Sequence, residues 1–281
     1  MTNPSPPDIL IPASGDYAAW TKSSPYCIAV DWDGTCKDTM VPKWTKGFNL
    51  AIPQIWPELA PYQEQIDKVC WDVNLVEDTA GIQRFVGLTV MMARWGEMGL
   101  PVPDLSAFTK AVQDVSARGE KHGIDTYRRL QAQYGYDETP LLWSELSDEI
   151  IAANSRDAKV FDNCREALEG VVGRADVLVV SASKTEAVRH DIVEDRMTHI
   201  FKALLAQDFL PKPNILQGLV KLYEHVLFLG DTQEDVRSAK AAGVPLYRIN
   251  AGDEAASWAK APEVFNRFLQ NEPLDGSVIQ P

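Results

Sequence analysis

The chain has 281 residues, 45% of them hydrophobic and 24% charged, with a formal net charge of -13. That length exceeds one ordinary domain, so a core plus a second unit is expected. The acidic balance argues against nucleic acid or an anionic membrane surface as partner, because either requires a basic face.

Four cysteines, Cys27, Cys36, Cys70 and Cys164, show no Cys-x-x-Cys spacing, which gives neither a zinc site nor a disulfide framework and reads as buried thiols of a reducing compartment. No basic start followed by an apolar stretch is present, and no run is long enough to span a bilayer. A soluble cytoplasmic protein is the expectation. Residues 1–24, rich in proline and serine, read as an extension over the surface, with Trp20 as a possible anchor.

The apolar run Cys27-Ile28-Ala29-Val30 ends in Asp31-Trp32-Asp33-Gly34-Thr35. Asp-Gly alone is a common turn dipeptide. An EF-hand loop would need its glycine sixth, whereas Gly34 is fourth. The middle of the chain then reads as helices. Tyr62, Ile66, Val69 and Val73 share one face, and Ile82, Phe85, Val86 and Val90 share another, ending near Gly96 and Gly99. Further helices are expected around 105–118, 123–133 and 141–154. Trp44, Trp56, Trp71, Trp95 and Trp143 are core candidates, and Lys43, Lys46, Arg84, Arg94, Arg128 and Arg129 read first as solvated helix charges.

Val160, Phe161, Cys164, Leu168 and Val171 have helical spacing. A second run, Val177-Leu178-Val179-Val180, stops at Ser181-Ala182-Ser183, so its end offers hydroxyl and backbone N–H instead of charge. A polar helix around 184–196, a short strand at Ala203–Ala206 and a helix opened by Pro213 come next. A third run, Val226–Leu229, again ends in acid, Gly230-Asp231-Thr232-Gln233-Glu234-Asp235. Thr232 and Asp235 have the spacing of a helix cap, with Val236, Ala239 and Ala242 inward and Gly243 past the last turn. Leu246–Asn250, a helix over 255–269 and a tail of about a dozen residues complete the chain. Strand–helix alternation predicts a doubly wound parallel sheet, with ligands at the carboxyl ends of its strands. Acids at two strand ends and a hydroxyl at a third suit magnesium and phosphate.

Together these residues resemble the haloacid dehalogenase superfamily of phosphohydrolases. Asp31-Trp32-Asp33-Gly34-Thr35 matches its Asp-x-Asp-Gly-Thr motif, Ser181 its strand-end Ser/Thr, and Gly230-Asp231-Thr232 through Asp235 its acidic motif. Lys212, in Pro211-Lys212-Pro213, is similar to the family's Lys-Pro, with Lys221 and Lys184 as competitors. The resemblance implies a Rossmann-like α/β core over 25–40 and 156–262, a helical (C1-type) cap over 41–155, an N-terminal extension over 1–24 and a C-terminal tail over 263–281. Cys36-Lys37-Asp38-Thr39 would continue into a hairpin-like flap.

The activity so implied is Mg2+-dependent hydrolysis of a small phosphorylated metabolite through an aspartyl phosphate on Asp31. Asp33 would serve as acid and then base. Asp31 and Asp231 would ligate the metal through carboxylates and Asp33 through its backbone carbonyl, with Asp235 supporting the site, capping a helix, or both. Thr35, Ser181, Ala182 and Lys212 would contact the phosphoryl group, and Trp32 would pack. A phosphomutase is the nearest alternative, and a non-catalytic phosphate- or metal-binding regulator a more distant one. The implied partner is a small phosphate ester, and monomer and homodimer stay open.

Overall fold

The computed structural model describes residues 8–154 and 158–281. The strands are β1 (Tyr26–Val30), β2 (Asp176–Val180), β3 (Ala203–Leu205), β4 (His225–Gly230), β5 (Leu246–Arg248) and β6 (Val278–Ile279). The helices up to the second strand are α1 (Met40–Lys43), α2 (Asn49–Ile55), α3 (Gln63–Trp71), α4 (Arg84–Glu97), α5 (Ser106–Ala117), α6 (Ile124–Tyr134), α7 (Thr139–Asn154) and α8 (Cys164–Glu169). After it come α9 (Thr185–Glu194), α10 (Lys212–Leu222), α11 (Gln233–Ala242) and α12 (Glu254–Leu269). Two compact units result, Met1–Asp38 with Lys159–Pro281, and Thr39–Ala158. The expected junction at 155/156 and the first seven residues of the expected extension lie outside the described residues.

The first unit is a six-stranded sheet in the order β3-β2-β1-β4-β5-β6, parallel except for β6. Its strands are nearly continuous apolar runs because both faces are buried, as parallel sheets require. Alternation along β1 shows this. Ile28 and Val30 face a core shared with Val177, Val179, Leu227, Leu229 and Trp258, whereas Cys27 and Ala29 face one shared with Leu178, Val180, Phe228, Ile215 and Leu219. The sheet is thus covered on both sides, which is the doubly wound arrangement.

Differences from the expectations have local causes. Residues 8–24 pack into the sheet unit: Ile9 joins its core, Leu10 O accepts from Leu204 N at 2.9 Å, and buried Trp20 donates from Nε1 to Tyr223 Oη at 3.0 Å. The expected tail carries the end of α12 and β6, which adds antiparallel to β5. The helix expected from Val160 begins only at Cys164, because Val160 forms a bridge with Lys37 and Phe161 N donates to Cys36 O at 2.9 Å. Cys36 and Lys37 are therefore buried and paired with the chain at 160–161, while Asp38 is exposed.

In the second unit the described residues form helices only, including π-helical turns at Trp44–Phe48 and Asp72–Val76 and a 3-10 turn at Pro57–Tyr62. Its own core contains Trp44, Trp56, Trp95 and Trp143 with Ile66, Val69, Val73, Phe85 and Leu88. Trp71 is instead exposed. The buried face of α4 is rotated from the expected one: Phe85, Leu88, Met91 and Trp95 are innermost, and Val86 and Val90 sit at its edge. All four cysteines are buried and free. No helix among the described residues is long and apolar enough to cross a membrane.

Candidate active site

Strand register brings the acids together. Val30 lies level with Leu229 on one side and Val179 on the other, so Asp31, Gly230 with Asp231, and Ser181 emerge at one edge of the sheet. Asp31 N still donates to Leu229 O at 2.9 Å, which fixes its backbone in the sheet. One oxygen each from Asp31, Asp231 and Asp235 lies within 4.8 Å of the others.

Lys212, first residue of α10, reaches into this group. Its buried Nζ is 3.2 Å from Asp31 Oδ1 and 2.5 Å from Asp235 Oδ1. Of the candidate lysines, Lys212 is thus the one beside Asp31. Lys221 on the last turn of α10 and Lys184 before α9 are exposed.

Asp235 caps α11 and also pairs with the lysine beside Asp31. Its Oδ2 accepts from Thr232 N at 3.0 Å and Thr232 Oγ1 at 2.7 Å, while Thr232 Oγ1 accepts from Asp235 N at 3.2 Å, a complete capping box on α11. Its other oxygen holds Lys212. The close approach needs glycine at 230, where a Cβ would lie 2.5 Å from Asp235 Cβ.

The loop after β1 turns at Gly34, whose φ is +77° and whose N donates to Lys37 O at 2.9 Å. Cys36 N and Lys37 N both donate to Trp32 O, at 2.9 and 3.1 Å. Trp32 is fully buried against Phe201, which agrees with a packing role. Thr35, expected to touch phosphate, is fully buried. Its hydroxyl donates to Asp231 Oδ1 at 2.6 Å, so its side chain orients a carboxylate instead.

Asp33 is outside the three-acid group. Ser183 Oγ donates to Asp33 Oδ2. Sequence reasoning does not single out Ser183 as a site residue, although its place two residues beyond Ser181 at a strand end is the kind of signal that marks one. Ser181 N is committed to Leu205 O at 3.1 Å, and its Oγ accepts from Ser183 N at 3.1 Å, which leaves the hydroxyl proton to donate. Ala182 is exposed beside it.

Electrostatics here are set by burial. Loss of water pushes the Asp31 carboxyl up to about 7; Lys212 pulls against this, and Asp235 and Asp33 add to it. Burial, then the charges of Asp235 and Asp31, hold Asp231 well above the usual carboxylate range. For Lys212, burial pulls the ammonium down, but Asp235 and Asp31 outweigh it, so it stays protonated. Among the described residues, one lysine faces three clustered acids, and their hard oxygen donors are those a magnesium ion takes. The residues present fit such an ion.

Four arginines of the helical unit are engaged within it. Arg84 pairs with Asp148 at 2.7 Å and lies over the Phe48 ring, Arg94 pairs with Glu77 at 2.5 Å, Arg129 with Glu120 at 3.3 Å, and Arg128 with Glu145.

A family model described as haloacid dehalogenase-like hydrolase matches residues 109–249, half of the chain. Its span takes in Ser181, Lys212, Asp231 and Asp235 and stops short of the Asp31–Thr35 loop. Among solved structures, a hydrolase from Pseudomonas syringae superposes with a TM-score of 0.51 at 12% identity, covering 88% of this chain and 100% of that one. A predicted phosphoglycolate phosphatase from Haemophilus somnus 129pt gives 0.47 at 18% identity over 80% and 85% of the two chains. An archaeal beta-phosphoglucomutase from Pyrococcus sp. strain ST 04 gives 0.47 at 14% identity over 80% and 86%. A comparison with curated proteins returns no match. The family match, on a doubly wound sheet with acids at two strand ends, makes this chain a member of the haloacid dehalogenase-like hydrolases.

Proposed function

We propose that the protein hydrolyses a small phosphate monoester in a Mg2+-dependent reaction, through an aspartyl phosphate on Asp31. The observation that carries this reading is the placing of Asp31, 3.2 Å from the buried Lys212 ammonium and grouped with Asp231 and Asp235. A buried carboxylate beside one fixed cation is a positioned nucleophile.

Asp31, Asp231 and the backbone carbonyl of Asp33 would hold the ion. When bound, Mg2+ supplies the positive charge that lets a phosphate approach these acids. Lys212 keeps Asp31 oriented and neutralises charge as it builds on the phosphoryl oxygens, and the Ser181 hydroxyl donates to one of them. In the first half-reaction an Asp31 oxygen bonds to phosphorus while the ester P–O bond breaks, and protonated Asp33 gives its proton to the departing alkoxide. In the second, water attacks the same phosphorus and Asp33 takes its proton. The bond to Asp31 breaks, releasing phosphate.

The test is hydrolysis of p-nitrophenyl phosphate and of a panel of phosphorylated metabolites, with and without Mg2+. Wild type is expected to turn over in Mg2+ and to yield an acid-stable phosphoenzyme, with Asp31→Asn inactive and Asp33→Asn without steady-state turnover. Wild-type inactivity over the whole panel would return the protein to a phosphate- or metal-binding role. Transfer of the phosphoryl group to a second hydroxyl of the product would make it a mutase.

A further inference from the structure

Lys37 is almost fully buried, at 2% exposure, in the sheet unit. Its Nζ lies 2.9 Å from Asp191 Oδ1 and 2.8 Å from Asp195 Oδ2. Asp191 belongs to α9 and Asp195 caps its C-terminal end. Asp191 Oδ2 also accepts from Trp32 Nε1 at 3.3 Å. Trp32 and Lys37, which bracket the turn carrying Asp33, are therefore both tied to α9. The same helix starts just after Ser183, whose hydroxyl donates to Asp33 itself. Lys37 closes the turn through its backbone too, with N bonded to Trp32 O and O to Gly34 N.

We propose that Lys37 is a positioning residue for Asp33, pinning the Trp32–Lys37 turn to α9 so that the acid/base carboxyl is held at its station beside the nucleophile. The proposal rests on the phosphatase reading for Asp33's role. Replacing a buried ion pair of this kind by well-packed apolar residues is often neutral or stabilising, and in some proteins the pair serves to fix one geometry. A lysine facing two acids, where a methionine would fill the space, suits that second use. Burial opposes the charge on Lys37, but the hydrogen bond to Asp195 and the charge of Asp191 more than restore it, so the ammonium stays protonated.

The groups that would bind phosphate hang elsewhere. Asp31 is fixed by β1, Asp231 comes directly after β4, and Lys212 and Asp235 sit in the first turns of α10 and α11. At saturating Mg2+, which offsets any displacement of the Asp33 carbonyl that would help hold the ion, loss of the anchor should thus spare phosphate binding and impair proton transfer. An alkyl phosphate, whose leaving group needs a proton, should suffer in the first step. An aryl phosphate should still phosphorylate Asp31 but release phosphate slowly, since water activation also needs Asp33.

The experiment compares wild type, Lys37→Met and the charge-free triple variant Lys37→Met/Asp191→Asn/Asp195→Asn, which covers the case that the single variant, with two unpaired buried acids, does not fold. In the folded variants, kcat for an alkyl phosphate is expected to fall roughly 100-fold, with KM within about twofold, and p-nitrophenyl phosphate should show a burst with phosphoenzyme accumulating. Amide exchange at Gly34, Cys36 and Lys37 should quicken about tenfold or more while β1 stays protected. Unchanged protection in that turn, or kcat within about twofold of wild type for both esters, would overturn the proposal, as would a KM rising in step with the loss. If wild type itself hydrolyses no phosphate ester, the phosphatase reading fails alone, and the exchange data still decide whether Lys37 anchors the turn.

Discussion

Lowering the pH from 8 to 5.5 is expected to weaken Mg2+ binding about 30-fold, because the ion must displace the proton that burial favours on Asp31. The carboxyl titrates near 7 instead of its ordinary 3.8, raised by loss of water and by Asp235 and Asp33, with Lys212 opposing. Asp231, which faces the same point, is displaced in the same direction. Holding Asp31 ionised in the folded protein costs about 4 kcal/mol at 1.36 kcal/mol per pH unit. Linkage sets the sign: the folded state binds the proton more tightly than the unfolded one, so this group's stabilisation is full below 3.8 and lost as pH rises through about 7. Protein without metal should therefore lose stability on going from pH 5 to 8, and metal should restore most where the loss is greatest. At pH 5.5 about one Asp31 in thirty is ionised, against nearly all at pH 8, so the stabilisation by a fixed Mg2+ concentration well above both dissociation constants differs by about 2 kcal/mol between the two. Calorimetric titration of Mg2+ at pH 5.5, 6.5 and 8, with thermal unfolding of the same samples, measures both effects. A dissociation constant that moves less than about threefold over this range would refute the reasoning, as would an unchanged pH dependence in Asp31→Asn.

Three further substitutions probe the scaffold around that carboxyl. Lys212→Met removes the cation 3.2 Å from Asp31 and is expected to lower kcat by about 10²–10³, whereas Lys221→Met, at an exposed position on α10, should stay within about twofold of wild type in steady-state assays. Asp235→Asn leaves an amide that must present a donor either to the Lys212 ammonium or to the Thr232 donors; urea unfolding should show a loss of about 3 kcal/mol, and a loss near 1 kcal/mol would mean that only the helix cap matters. Gly230→Ala places a Cβ against Asp235 at 2.5 Å; it should cost about 1–3 kcal/mol in thermal unfolding and reduce the stabilisation given by Mg2+.

Residues whose role is set by where a strand ends are legible in the sequence, and residues whose role is set by a distant side chain are not. Cys27–Val30, Val177–Val180 and Val226–Leu229 are continuous apolar runs because a doubly covered parallel sheet buries both faces, and the residues just past each run must then emerge at one edge. Asp31, Ser181 and Asp231 can be placed together on that ground alone, and Thr232 with Asp235 by the spacing of a cap. Lys37 carries no such mark, and the strand-end place of Ser183 does not name its partner: Asp191 and Asp33, which they hold, lie 154 and 150 residues away in the chain. The motif assigns Thr35 to phosphate, yet it cannot tell whether the hydroxyl turns to the ligand or to Asp231. In the helical unit, apolar period marks α3 to α7, but the π-helical turns have no residue signature: Trp44–Phe48 shifts the phase between α1 and α2, and Asp72–Val76 ends α3. β6 has two residues, too few for any period. The bracing is the part hidden from sequence: the acids are announced by their strands, while the contacts that aim them, Lys212 apart, come from hydroxyls and a lysine that read locally as turn or surface.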